Sequence, residues 1–169
     1  EGEAEPSQVV EPATPPDQQA ESSAPAEITT ASRFSTSDVP AYSGKAYTSV
    51  NGNVPYFSAA ELATQSFETY SDLDSLGRCG VTYACIGKDL MPTEERGSIG
   101  MVKPTGWHTV RYDDLVDGKY LYNRCHLIGY QLTGENANTK NLITGTRYLN
   151  IEGMLPFENM VADYIQETN

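Results

Sequence analysis

The composition of the chain changes sharply near residue 41, and this change constrains the fold more than any other feature of the sequence. Residues 1–38 contain eight acidic residues and one basic residue, and they are rich in Pro, Ser, Ala and Gln. Such a segment cannot bury enough apolar surface to offset the entropy that ordering would cost. We therefore expect residues 1–41 to be a disordered acidic Pro/Ser-rich linker and residues 42–169 to form one domain.

The net charge of the 169-residue chain is −12, and more than half of that charge lies in the first 38 residues. This acidic total argues against a protein that binds nucleic acid through bulk positive charge, but it leaves local basic sites open. No apolar run approaches the roughly 20 residues that span a bilayer. The chain begins with Glu1 rather than Met, and an acidic Pro/Ser linker often precedes a secreted domain. We therefore expect a secreted or cell-surface tethered protein, with its signal peptide or anchor outside this chain.

The chain has three cysteines, Cys79, Cys85 and Cys125, and an odd number leaves at least one thiol unpaired. Cys79 and Cys85 are close enough in sequence to close a small loop in an oxidising compartment. Three buried, small apolar residues are the alternative that we slightly favour. A zinc site would need a histidine as its fourth ligand, and the spacing matches no standard zinc pattern.

Two local signals predict structure at the start of the domain. The Asn51-Gly52 pair supplies the positive φ angles of a type I′ turn, so residues 46–57 are predicted to form a hairpin. Ser58 and Glu61 form a Ser-x-x-Glu capping box, which predicts a helix carrying Leu62, Phe67 and Tyr70 on its apolar side.

The rest of the domain reads as short strands followed by two helices. Apolar and β-branched runs predict strands at residues 79–86 and 141–145 and short strands at residues 109–112 and 119–122, after which the segment 123–128 follows. Pro156 cannot continue a helix but suits the first turn of a new one, so we expect one helix over residues 148–154 and a second over residues 156–167. Strands with segregated helices indicate an α+β fold with a small mixed or antiparallel sheet.

The chemistry-bearing residues fall in one stretch, and each has an ordinary structural explanation when taken alone. A histidine near a strand end is usually structural, and an asparagine at a helix start is usually a cap. A glutamate in a first helical turn complements the helix dipole. The stretch holds Arg124-x-His126, Asn141, Asn150 and Glu158.

Taken together, these residues resemble the active-site signature of the DNA/RNA non-specific endonucleases, which belong to the ββα-metal (His-Me finger) group. The family motif is Asp-Arg-Gly-His followed by Asn, Asn and Glu, and here Asn123 and Cys125 stand in place of the Asp and the Gly. The gaps of nine residues from Asn141 to Asn150 and eight to Glu158 fit the family. Residues 133–147 are especially similar to the Gram-positive secreted and DNA-entry nucleases. The resemblance covers about residues 42–169.

This resemblance implies a role for each motif residue. His126 would be the general base that takes a proton from the attacking water, because imidazole titrates near neutrality. Arg124 would stabilise negative charge on the phosphate. Asn150 would hold one divalent ion, Mg²⁺, for which Mn²⁺ could substitute. Glu158 would hydrogen-bond a water molecule held by that ion.

The substrate side of the site is assigned in the same way. Asn141 is expected there, orienting the His126 or metal region, and Arg147 and Lys140 are expected to contact phosphates. The implied activity is Mg²⁺-dependent hydrolysis of phosphodiester bonds in DNA, with RNA as a second polymer that the sequence does not exclude. Two alternatives stay open at this point. One is the nuclease domain of a secreted antibacterial toxin with an immunity protein as partner, and the other is a catalytically inactive surface-binding module.

Family members usually continue past the second helix with further strands of the sheet. The resemblance therefore indicates a ββα-metal core truncated at its C-terminus. On this basis we expect the apolar residues Phe157, Val161 and Ile165 of the last helix to be partly uncovered.

Overall fold

The computed structural model describes residues 35–168 of the chain. The predicted linker, residues 1–41, therefore lies almost entirely outside the described residues. Its last part contains one short 3₁₀ turn, Thr36–Asp38, which is capped by the side chain of Ser35 and is exposed throughout.

Two small antiparallel sheets and one long C-terminal helix make up the described part of the chain. Strands β1 (Phe67–Tyr70) and β2 (Thr82–Cys85) pair with Phe67 opposite Cys85. Strands β3 (Tyr122–His126) and β4 (Leu142–Thr146) pair with His126 opposite Leu142. Between β3 and β4 lies the single-turn helix α1 (Tyr130–Thr133), and after β4 come a π-helical segment (Leu149–Met154) and helix α2 (Leu155–Thr168). The predicted α+β class is confirmed, and the antiparallel alternative is the one adopted.

The predicted hairpin at residues 46–57 is wrong, although its turn signal is real. Asn51, Gly52 and Asn53 all have positive φ, at 51°, 59° and 62°. They form a 3₁₀ turn, and no strand flanks it. A type I′ turn needs two consecutive residues with positive φ. A third one redirects the chain, so the two flanking segments do not meet in a ladder.

The helix predicted from Ser58 is also wrong beyond its first turn. The capping box forms, with the Ser58 N–H donating to Glu61 Oε2 at 2.6 Å, but the 3₁₀ turn Ala59–Glu61 is not continued. Phe67 instead begins β1, where its ring packs 4.9 Å from the ring of Tyr83 on β2. Cross-strand pairing of aromatic residues outweighs a local capping signal here.

The later strand predictions are better. The segments at residues 79–86 and 141–145 contain β2 and most of β4, whereas β3 lies mostly in residues 123–126, for which the sequence predicted no strand. Residues 109–112 and 119–122 do pair, but through the single bridge between Arg111 and Tyr120 and its flanking hydrogen bonds rather than as regular strands.

The break expected at Pro156 does not occur. The chain is helical from the end of β4 into α2, and the Leu155 N–H donates to the carbonyl of Asn150, five residues earlier. A π turn contains an extra residue, so the bonding register changes just where Pro156 has no N–H to donate. As a result Asn150 and Glu158 lie on one continuous helical path.

The core is small and lies where β3, β4, α1 and α2 meet. Its buried apolar residues are Val102, Cys125, Leu132, Leu142 and Ala162. As expected, two apolar side chains of α2 are partly uncovered: Phe157 is 43% exposed and Val161 is 38% exposed. Within residues 35–168, no helix is both long enough and apolar enough to cross a bilayer.

All three cysteines are free, so Cys79 and Cys85 form no bridge in this structure. The Sγ atom of Cys79 instead lies 3.4 Å from the carbonyl oxygen of Leu142. Cys125 is fully buried, and burial raises the pKa of its thiol to about 11. Cys125 therefore stays protonated and serves as a small apolar residue. The prediction of three buried cysteines is correct for Cys125 alone, because Cys79 and Cys85 are only half-buried.

Candidate active site

Strand β3 presents its two motif side chains on one face. Arg124 and His126 are two residues apart, so both point to the same side of the strand, and Cys125 points to the other. Cys125 stands where the family motif has Gly, and Gly145 on β4 makes the room for it. A Cβ atom on Gly145 would lie only 2.7 Å from Cys125 Sγ. Cys125 therefore fits because its neighbour on the paired strand has no side chain.

His126 is held by hydrogen bonds at both ring nitrogens. Its Nε2 lies 2.8 Å from the carbonyl oxygen of Asn136, which can only accept, so Nε2 carries the proton. The lone pair is then on Nδ1, which lies 3.4 Å from Nη2 of Arg96. The ring is 6% exposed, and burial lowers the pKa of His126, with a smaller lowering from the charge of Arg96. The imidazole is therefore neutral near pH 7.

Asn141 is fully buried and anchors the chain that follows His126. Its Oδ1 accepts from the N–H of Ile128 at 2.8 Å, and its Nδ2 donates to the carbonyl of Ile128 at 2.9 Å. Its carbonyl accepts from the N–H of Leu127 at 2.9 Å. The expected orienting role agrees with this geometry, but the structure does not bring Asn141 to a surface where a substrate would lie.

The guanidinium of Arg124 is fixed by the loop at residues 100–107. Its Nε donates to the carbonyl of Val102, and its Nη2 donates to the carbonyl of Gly100 at 3.0 Å. Its central carbon lies 3.8 Å from the ring centroid of Trp107. A cation over an aromatic face is attracted by the ring quadrupole. Arg124 is therefore held in one direction before any substrate arrives.

Arg124 and Asn150 line one open cleft of about 520 Å³. Asn150 comes from the π-helical segment and Arg124 from β3, so the cleft lies between the sheet and the helix. Within residues 35–168, no group of three or more His, Cys, Asp or Glu residues could hold a metal ion. A divalent ion in this cleft would take its protein oxygen from an amide such as Asn150.

Glu158 lies on α2, close to the backbone of Gly129. A Cβ atom on Gly129 would lie 2.8 Å from Glu158 Oε2, so only glycine fits there with this rotamer. Burial raises the pKa of Glu158, and the charge of Arg96 partly offsets that rise. Arg96 also lines the cleft and contacts His126. One arginine therefore links the histidine, the glutamate and the cleft.

The two predicted phosphate contacts lie away from this cleft. Arg147 lines a separate cavity of about 200 Å³, and its Nη2 is 3.4 Å from a carboxylate oxygen of Asp117. Lys140 Nζ forms an ion pair with Asp72 at 2.6 Å. The structure does not bring either residue together with Arg124 and Asn150, because each is paired with an acid from a distant loop.

Three residues of the site carried no recognisable sequence signal. Arg96 lies in a polar loop after Glu94 and Glu95, Trp107 lies in a loop after Pro104, and Asn136 contributes through its backbone carbonyl. A backbone contact can be made by any residue type, and a loop residue has no periodicity to place it. Only the tertiary arrangement identifies these three.

A family model described as DNA/RNA non-specific endonuclease matches residues 58–169. The chain belongs to this family. The structure of NucA from Streptococcus agalactiae with magnesium ion bound matches with a TM-score of 0.59 and 21% identity, over 70% of this chain and 58% of that one. The structure of the same nuclease with no metal bound gives a TM-score of 0.57 and again covers 70% of this chain and 58% of that one.

Sda1 nuclease with bound zinc ion gives a TM-score of 0.48 at 26% identity, over 60% of this chain and 56% of that one. No curated protein matches the chain. The matches span less than two thirds of the length of these nucleases. Within the DNA/RNA non-specific endonuclease family, the ββα unit of this chain is β3, β4 and the helical path that ends in α2.

Proposed function

We propose that this chain is a metal-dependent endonuclease that hydrolyses phosphodiester bonds of DNA, with RNA as a second substrate. One observation carries the proposal. Inside the region that matches the family, a neutral buried histidine contacts Arg96, and Arg96 lines a cleft together with the fixed Arg124 and the helix residue Asn150. A base, a phosphate-binding cation and an oxygen donor are what hydrolysis of a phosphodiester requires.

The residues of the cleft fit a single hard divalent ion. Asn150 presents a neutral amide to the cleft, and within residues 35–168 this side chain makes no hydrogen bond. Mg²⁺ is commonly bound by one or two protein oxygens together with water and substrate phosphate. When bound, the ion would act as a Lewis acid that stabilises charge on the phosphate and the leaving oxygen. A neutral ligand leaves its charge undiminished, so Mg²⁺ is the ion that we propose.

His126 provides the base at Nδ1. Because the Asn136 carbonyl holds the proton on Nε2, the lone pair of Nδ1 is available to accept a proton from a water molecule in the cleft. Arg96 lies 3.4 Å from that lone pair, so its guanidinium must move away from Nδ1 when the water binds. The proton taken up by Nδ1 produces an imidazolium that the carbonyl of Asn136 stabilises through Nε2–H.

Two further residues assist this proton transfer: Arg124 acts on the phosphate, and Glu158 acts on Arg96. Arg124 is held by Gly100, Val102 and Trp107, so it stabilises the phosphate without paying for side-chain ordering at that moment. Burial raises the pKa of Glu158 and lowers that of His126, and the positive charge of Arg96 lowers both, so Arg96 interacts with both side chains. We infer that Glu158 receives Arg96 when the guanidinium leaves the histidine.

We also propose that the protein works outside the cell or at its surface. The support is the composition of residues 1–41, because an acidic Pro/Ser-rich segment often precedes a secreted domain. The weakly acidic domain agrees with a nuclease that attracts its substrate only locally and releases product readily. Cutting should therefore decline steeply with salt.

Digestion of a supercoiled plasmid by the folded chain, with Mg²⁺ or with EDTA, tests the proposal directly. We expect nicking and linearisation with Mg²⁺ and none with EDTA. Asn150→Ala should need more Mg²⁺ for the same rate, whereas Lys140→Ala, which removes a distant ion-paired cation, should behave as the parent. Absence of Mg²⁺-dependent cutting would leave the inactive binding module as the better explanation.

A further inference from the structure

Three aromatic side chains, Trp107, Tyr120 and Tyr122, line the same cleft as Arg124 and Asn150. We refer to these three side chains as the aromatic wall. The proposed hydrolysis uses Arg96, Arg124 and the amide of Asn150. It gives the three rings no role, except that Trp107 holds Arg124. Aromatic rings at the surface of a nuclease cleft therefore need another explanation.

Each ring of the aromatic wall has a basic or titratable partner. Arg124 lies over Trp107 at 3.8 Å from the ring centroid, and Arg111 lies over Tyr120 at 5.9 Å. The His108 ring centroid is 4.6 Å from that of Tyr122. Within the cleft itself the cations are Arg96 and Arg124, and a groove that combines cations with aromatic rings is the arrangement that binds single-stranded nucleic acid, in which the cations contact the phosphates and the rings stack on the bases.

The aromatic wall is preformed by paired backbone. The bridge between Arg111 and Tyr120 is flanked by hydrogen bonds from the Tyr112 N–H to Lys119 at 2.8 Å and from the Leu121 N–H to Val110 at 2.9 Å. The second segment of this pair leads directly into β3. The backbone that carries Tyr120 and Tyr122 is therefore fixed relative to Arg124, so binding costs little conformational entropy.

The cleft has room for a base beside the rings. Its volume is about 520 Å³, and Tyr120 is 47% exposed. Arg111 and His108 contact their tyrosines without lining the cleft, so neither side chain fills it. A flat heterocycle can thus reach the rings from the cleft side.

We propose that the aromatic wall stacks on unpaired nucleobases next to the scissile phosphate, so that this site binds single-stranded nucleic acid more tightly than duplex. This inference rests on the proposed nuclease function. Phosphate contacts alone do not distinguish single strands from duplexes. In a duplex the base faces are already stacked on one another, whereas in a single strand they are free to stack on Trp107, Tyr120 and Tyr122.

Binding measured in EDTA tests the stacking without any cleavage. The probe is an oligothymidylate of about a dozen nucleotides, compared with an abasic strand of the same length and with a duplex. Trp107 is the only tryptophan of the chain, so its fluorescence reports contact at the aromatic wall directly. We expect the oligothymidylate to quench Trp107 and to bind roughly tenfold more tightly than either the abasic strand or the duplex.

Two tyrosine variants from the same paired segments sharpen the test. Tyr120→Ala should weaken oligothymidylate binding about tenfold and leave abasic binding unchanged. Tyr112→Ala removes a tyrosine that does not line the cleft, so it should leave both affinities unchanged. Equal affinity for thymidylate and abasic strands, or for single strand and duplex, would overturn the proposal even if plasmid is cut. Loss of cutting with base-dependent quenching intact would instead count against the nuclease function alone.

Discussion

His126 is the residue whose chemistry depends most on its surroundings. The backbone carbonyl of Asn136 selects its tautomer, and burial selects its charge. Both effects favour a neutral ring with a free lone pair on Nδ1, which is the state that a general base needs. Two predictions follow from this single side chain, one for the rate and one for its dependence on pH.

Removing the base should slow the chemical step and spare binding. We expect His126→Ala to lower kcat by about 10²–10⁴-fold, because that is the usual contribution of a positioned general base. Affinity for an oligonucleotide in EDTA should hardly change, and added imidazole should restore part of the rate. His108→Ala, which removes the only other histidine, is the control and should keep kcat. A His126→Ala enzyme with near-parental kcat would rule out this base.

The pH profile should show the lowered pKa of His126. The base works only when neutral, so kcat/KM falls as pH drops through the pKa of the folded protein. Because burial and Arg96 lower that pKa from 6.5, the midpoint of the acid limb should lie below pH 6.5. Removing the charge in Arg96→Gln should move the midpoint upward, whatever happens to the maximal rate. A midpoint that stays in place in Arg96→Gln would mean that Arg96 does not act on the histidine electrostatically.

The same shift affects stability in a defined pH range. Below pH 6.5 the unfolded chain protonates this histidine before the folded one does, so the contribution of His126 to stability is complete above pH 6.5. It declines as pH falls from 6.5 through the lower pKa of the folded state.

Among the elements, the β3–β4 pair owes its close packing to one glycine. Gly145 faces Cys125 diagonally across the ladder, where an added Cβ would lie 2.7 Å from Sγ and 3.2 Å from Leu149 Cδ2. The absence of a side chain at Gly145 therefore leaves the space that Cys125 Sγ occupies between the paired strands.

Gly145→Ala should destabilise the protein by about 1–3 kcal/mol, the usual cost of overpacking a core. Cys125→Ala removes the sulfur and leaves its Cβ at an ordinary 3.7 Å. In the double variant the clash is largely gone, so the two effects should not add. Urea unfolding of the four proteins measures this coupling. Simple additivity would show that Cys125 Sγ does not occupy the space next to Gly145.

At the scale of the whole molecule, helix α2 exposes an apolar stripe. Phe157, Met160, Val161 and Tyr164 recur at helical spacing and are 38–64% exposed. Exposed stripes of this kind promote association between molecules. The same helix carries Glu158 and Ala162 on its inward side, so its outer side can be altered without touching the site.

We expect the isolated chain to self-associate through this stripe as its concentration rises. Replacing Met160 and Tyr164 with lysine should shift sedimentation toward the monomer and leave kcat unchanged. Lysines placed at the exposed polar positions Gln166 and Thr168 match the added charge and should not have this effect. A parent chain that stays monomeric over the full concentration range would show that the stripe does not mediate self-association.

The resemblance of the motif residues was sufficient to identify the family and to single out Arg124 and Asn150, which share the cleft. The strand prediction at residues 141–145, which covers most of β4, follows from local pattern, because short β-branched runs pair with their neighbours. The exposure of Phe157 and Val161 also followed from comparison with the family pattern.

Only the tertiary structure decided the rest. The helix signal at Ser58 is local, and it lost to pairing between β1 and β2, which lie apart in the sequence. The hairpin signal at Asn51 failed because Asn53 adds a third residue with positive φ. The helix passes Pro156 because a π turn shifts its register, and no residue pattern announces that shift. Lys140 and Arg147 form ion pairs with Asp72 and Asp117, which lie in distant loops. Arg96 comes from another loop, which places it beside His126. Long-range contacts of this kind depend on where loops lie in space, and neither propensity nor periodicity encodes that position.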